Sequence, residues 1–258
     1  MSNPNLYIVG ADLGDLDGEK RLDTLLNTLA PSVVILDKNR KYQKALPKSP
    51  EEEQIIHAII DDSSLSLNPE QKATLIEYWF KAGNVAGYEL RVSTAYVART
   101  PDSKLEYLDL PVFAGVKKGY VGSVKDKIKQ LEKPDLARRV IENLDGGIDA
   151  YVQFARGLIQ QLYIAFEGKE IARVYAPNSF TKLKGRISPE HRQELKKMDY
   201  FTKNPKIIRR IKDLCAGERK VVVVVGLEHF HGLRINIEDL NPTITTLREW
   251  ASDSVRLS

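Results

Sequence analysis

At 258 residues with 42% hydrophobic side chains, the chain is long enough to bury one large core or two modest ones. Its net charge of +4 comes from 39 basic and 35 acidic residues of interspersed sign, which gives nucleic acid no special claim as a partner. A single cysteine, Cys215, excludes an internal disulfide, no apolar run reaches the roughly 18 to 20 residues of a membrane span, and Met1-Ser2-Asn3-Pro4-Asn5 lacks the basic and apolar parts of a signal peptide, so a soluble protein of the reducing cytoplasm is expected.

Leu6-Tyr7-Ile8-Val9 reads as a short strand, and the turn from Gly10 to Gly18 carries Asp12, Asp15 and Asp17. Leu22, Leu25, Leu26 and Leu29 recur at helical spacing, and Ala30-Pro31 closes that helix before the strand Val33-Val34-Ile35-Leu36. The strands of such a βαβ unit are parallel, so the acidic loop at 10–15 and the loop from Asp37 to Arg40 are expected at one edge of the sheet, facing one cleft. Glu51-Glu52-Glu53 ahead of Ile55, Ile56, Ile59 and Ile60 predicts a helix whose acidic start complements its dipole, with His57 as a surface or structural residue. Asn68-Pro69-Glu70 opens another helix, running through Leu75, Ile76, Trp79 and Phe80 to near Gly83. Gly87-Tyr88-Glu89-Leu90-Arg91 begins the next, where Glu89 favours the positive end of the dipole, and a strand from Lys104 ends in Asp109.

From Val116 to about Lys203 the pattern turns helical, with segments at 121–131, 134–144 and 148–166. The last carries a wide apolar face of Tyr151, Phe154, Ala155, Leu158, Leu162 and Phe166, read as packing against neighbouring helices, with a lid or homodimer surface as the alternative. Lys182, Lys184, Arg186, Arg209 and Arg210 make the most basic segments, read as solvated faces. A helix from Pro205 to Cys215 leads into five valines, Val221 to Val225, then Leu240-Asn241-Pro242 breaks the chain and Thr246 to Trp250 opens a last helix. The expected fold is α/β, a mainly parallel central sheet flanked by helices, with 1–115 and 204–258 as the core and 116–203 as a helical insertion in one structural unit.

Five consecutive valines fit a strand covered on both faces, and ligands of open α/β folds gather beyond the carboxyl ends of such strands. Gly226-Leu227-Glu228-His229-Phe230-His231-Gly232 follows as a glycine-bounded turn. A turn could bring His229 and His231 together.

Four segments, in this order, resemble the TraB/PrgY family, part of a wider group that includes Tiki-type metalloproteases and ChaN-like and erythromycin-esterase-like proteins. They are Tyr7-Ile8-Val9-Gly10-Ala11-Asp12-Leu13, Leu29 to Arg40, Gly87-Tyr88-Glu89-Leu90-Arg91 with Leu105 to Asp109, and Val225 to Leu233. Leu13 stands where the family's first G-x-x-H motif has its histidine, and Asp37 stands where it has a glutamate. The resemblance implies a site of Asp12, Asp37, Glu89 and His229, supported by Arg40, Asp109 and His231. With Leu13 in place of a ligand, the first expectation is a binding or regulatory protein that takes a peptide or small molecule in the cleft. The second is a metal-dependent hydrolase in which Asp12, Asp37, Glu89 and His229 hold a divalent ion of unassigned identity and Asp37, Glu89 and His229 act in catalysis. A basic nucleic-acid-binding or scaffold protein ranks third.

Overall fold

The computed structural model describes residues 3–12, 14–37, 50–85, 87–108, 119–167, 205–215 and 220–256. Among them β1 (Asn3–Ala11), β2 (Val33–Leu36), β3 (Lys104–Tyr107), β4 (Val221–Gly226) and β5 (Pro242–Thr246) form a sheet in the order β3-β2-β4-β1-β5, with every pairing parallel. The expected α/β class with a parallel sheet is therefore the observed one. β4 lies at the centre and all its residues are buried, so it has no solvent face to mark with polar side chains and can be written in valine.

Side chains alternate between the two faces of the sheet. Leu6, Ile8, Val33, Ile35, Val221, Val223 and Val225 pack with Ile207 and Ile211 of α8 (Pro205–Cys215) and with Phe230 and Leu233 of α9 (Leu227–Asn236). The other face is covered by α1 (Gly18–Leu29), α4 (Tyr88–Arg99) and α10 (Leu247–Arg256), which contact one another through α1. Handedness explains the split. The chain steps toward one edge from β1 to β2 to β3 and back across from β3 to β4 to β5, and right-handed crossovers then put α1 and α4 on one face and α8 and α9 on the other, while α10 follows the last strand and packs on α1.

Two local features differ from the sequence reading. A short 3-10 turn, Glu238–Leu240, ends at Asn241, whose φ of 52° is left-handed, so the break is real. It is followed by a fifth strand: proline is tolerated as the first residue of an edge strand, and the β-branched Thr243, Ile244, Thr245 and Thr246 suit an extended chain. The second difference is α9, which begins directly after Gly226 where a turn was expected. The last helix is defined by a capping box: the Glu249 N–H donates to Thr246 Oγ1 and the Thr246 N–H donates to Glu249 Oε2, each at 3.1 Å.

The chain divides into two compact units. Met1–Gln43, Gly87–Leu110 and Gln160–Ser258 hold the sheet; Lys44–Ala86 and Pro111–Ile159 are helical, with α2 (Pro50–Asp61), α3 (Pro69–Val85), α5 (Gly119–Leu131), α6 (Pro134–Asp145) and α7 (Gly147–Glu167) as far as Ile159. α2 and α3 thus group with the helices of the insertion. In that unit Asn68 and Gln71 form a reciprocal cap on α3, with bonds of 2.8 and 2.9 Å, and Gln71 Nε2 donates onward to Asp145 at 2.6 Å. The Tyr151 ring stands edge-on to Tyr78 at 4.9 Å, so this part of the apolar face of α7 is spent on internal packing. No described helix is long and apolar enough to cross a membrane.

Candidate functional site at the carboxyl edge of the sheet

The carboxyl end of β1 opens into a loop whose conformation is fixed by its own aspartates. The Gly14 N–H donates to Asp12 Oδ1 at 2.7 Å, and the Asp17 N–H donates to Asp15 Oδ1 at 3.0 Å, two Asx turns that deliver the chain to α1. Asp15 is 2% exposed, and its other oxygen, Oδ2, accepts from Arg21 Nη1 at 2.7 Å. Two tyrosines from distant helices finish the arrangement. The Tyr163 hydroxyl, on α7, accepts from the Asp12 N–H at 2.9 Å and donates to Asp15 Oδ2 at 3.1 Å. The Tyr88 hydroxyl, at the start of α4, donates to the Asp12 carbonyl at 3.1 Å.

Both phenols are fully buried. Burial first, then the proximity of Tyr163, Glu89, Asp15 and Asp12, holds Tyr88 well above the ordinary phenol pKa; burial and then Asp15 raise Tyr163 in the same direction. Each therefore stays a neutral donor at neutral pH. Space is tight as well: a Cβ on Gly18 would stand 2.3 Å from Tyr88 Cζ, so glycine at the first position of α1 is what lets the ring in.

The neighbouring strand ends are built differently. β4 lies between β1 and β2, so the acidic loops after β1 and β2 share an edge but start two strand spacings apart, roughly 10 Å. Asp37, just past β2, bridges to the central strand: its N–H donates to the Val224 carbonyl at 3.2 Å, and its Oδ2 accepts from the Gly226 N–H at 2.6 Å. Gly226 is the N-cap of α9, so the Asp37 carboxylate sits at the positive end of that helix, where both the hydrogen bond and the dipole favour it. α9 lies close over β1, since a Cβ on Gly10 would come within 3.0 Å of the Phe230 ring.

His229 is the third residue of α9 and half-buried. Because the segment is helical, the backbone positions of His229 and His231 are separated by about 200° of rotation, and the turn that would have gathered them does not form. Glu89 is 2% exposed in the first turn of α4, beside Tyr88. Arg40, Asp109 and the side chain of His231 lie outside the described residues, as does Leu13. Among the described residues, no group of three or more His, Cys, Asp or Glu side chains is placed to hold a metal ion.

Elsewhere, Lys182, Lys184 and Arg186 lie outside the described residues, and the basic side chains of α8 are partly spent: Arg210 pairs with Glu106 at 2.8 Å and Lys212 pairs with Asp239. In the helical unit a shallow cavity of about 530 Å³ lies between α2 and α3, lined by Leu67, Ile76 and Phe80 together with His57, Asp61 and Lys72. The sequence reading named Asp12 as a site residue but not Tyr88 or Tyr163 as its partners, nor the pairing of Asp15 with Arg21 and Tyr163. Tyr163 and Asp15 are 148 positions apart, so no local pattern links them. Comparison with protein-family models, curated proteins and solved structures finds no match.

Proposed function

We propose that this chain is a divergent TraB/PrgY-like protein of the cytoplasm that binds a peptide or small-molecule ligand along the carboxyl edge of its sheet, in a binding or regulatory role. One observation supports this over hydrolysis. The two loop carboxylates expected to ligate a metal each accept a backbone N–H, Asp12 from Gly14 and Asp37 from Gly226, and so hold the chain in place. An edge whose acids fix its own shape is a preorganised surface for recognition. The order of strands adds to this, because connections leave β1 and β4 toward opposite faces of the sheet, and crevices for ligands form at such switch points.

The metal-dependent hydrolase is the second reading, and Glu89, a carboxylate buried to 2% exposure at this edge, is the observation in its favour. The described side chains do not assemble a metal-holding group. Two measurements separate the readings. Elemental analysis after dialysis against zinc, manganese and magnesium should find no stoichiometric metal in wild type or His229→Ala; bound metal that the mutant loses would overturn the binding reading in favour of the hydrolase. An NMR titration with a mixture of apolar dipeptides should move the amides of Gly14, Asp15, Gly226 and Thr246. Shifts confined to the α2 and α3 cavity would place binding elsewhere.

A further inference from the structure

We infer that Tyr163 is a latch for the loop between β1 and α1: one hydroxyl spans the loop, taking the Asp12 N–H and giving its proton to Asp15 Oδ2, so the last turns of α7 decide whether that loop is closed. Among the described contacts of the loop, Tyr88 reaches Asp12 alone and Arg21 reaches Asp15 and Asp17, whereas Tyr163 reaches both Asp12 and Asp15. A part-buried amide and a buried carboxylate are costly to leave short of partners, and a single hydroxyl serves both. Its proton is secured by its surroundings, since burial keeps Tyr163 in the phenol form that can donate.

The consequence is a two-state edge. With Tyr163 seated, the Asp12 main chain is pinned by two phenols and Asp15 is capped by both Tyr163 and Arg21. With Tyr163 withdrawn, Asp12 loses its N–H partner and Asp15 loses one of its two donors to Oδ2, so both ends of the loop are loosened together. Asp15 Oδ2 then has an acceptor position at the carboxyl end of β1 that the ammonium or guanidinium group of a ligand would fill. This deepens the reading of the edge as a binding face, but the latch is testable in the free protein with no ligand present, so the two stand or fall separately.

Hydrogen exchange monitored by NMR is the test. Tyr163→Phe keeps the buried ring and removes one oxygen. Exchange at the Asp12 and Gly14 amides should accelerate roughly tenfold or more, while Val9 and Val223 in the sheet keep their protection. Unchanged loop amides, or equal acceleration of loop and sheet, would overturn the latch. Should the variant not fold, wild-type exchange across a series of low urea concentrations replaces it. A latched loop opens with the end of α7, so the Asp12 amide and those of 160–163 should share one opening transition. Independent opening of the loop would sink the proposal.

Discussion

The ends of β1 and β4 are neighbours in the sheet, yet they are held in contrasting ways. Beyond β1 the chain makes a loop closed by side chains from three helices, with an ion pair on a buried carboxylate and two buried phenols. Beyond β4 the chain turns straight into α9, and a single carboxylate from the adjacent β2 end, Asp37, meets its first amide. A loop must find partners for every buried polar group it carries, whereas a helix supplies most of its own. The difference predicts that stability is concentrated in the β1 loop and that the β4 end tolerates change.

The sharpest way to break that contrast is Asp15→Ala. It would take from the Tyr163 hydroxyl its acceptor, leave Arg21 only its longer 3.6 Å pairing with Asp17 and remove the Asx turn to Asp17, and breaking a pair whose carboxylate is this buried typically costs about 3 kcal/mol. Urea denaturation should register the loss as a lower midpoint at unchanged slope. A loss near the ~0.5 kcal/mol usual for surface substitutions would mean that the loop is not the stability centre described.

Alkaline titration probes the same loop from its phenols. Tyr88 and Tyr163 are raised in the folded protein above their unfolded value of about 10, so the unfolded chain releases these protons first. Their contribution is complete below that value and falls as pH rises above it, by about 1.4 kcal/mol per pH unit for each phenol until its folded pKa is reached. Absorbance at the phenolate band should therefore show these two tyrosines ionising together with unfolding rather than before it. Early ionisation with the fold intact would show that the β1 loop is open to solvent.

How far this contrast was legible in the sequence follows from the range of the interactions. Periodicity is local, so β2, the helix from Pro205, the valine strand and the helices of the insertion could be read within a residue or two of their bounds. β5 escaped because Pro242 reads as a stop and Ile244 is the one large apolar residue in the strand. The acidic turn after β1 was visible, but its purpose was not: Asp15 depends on a tyrosine near the end of a helix 148 residues away. At the other end, two histidines beside glycines suggested a turn, and the helix that formed instead separates them. Asp37 was read correctly as an edge residue, and what it touches depended on β4 lying between β1 and β2, an order that no local pattern encodes.

The β4 end supplies the smaller effects. Asp37→Ala removes the acceptor of the Gly226 N–H and the charge at the start of α9, a loss of about 1 kcal/mol on the scale of helix caps. Exchange should quicken at the first amides of α9 and stay unchanged at Gly14. His229→Ala should do less still. The residue is partly exposed although its Nδ1 is shielded from solvent, and alanine is the better helix former by a few tenths of a kcal/mol, which offsets part of any lost contact, so the net change should stay within about 0.5 kcal/mol. The pair of variants orders the causes at this end: if Asp37→Ala costs more than His229→Ala, α9 is held through its first amide. If His229→Ala costs more, an imidazole contact holds the helix, and the β4 end has to be regarded as a second anchored site on a par with the first.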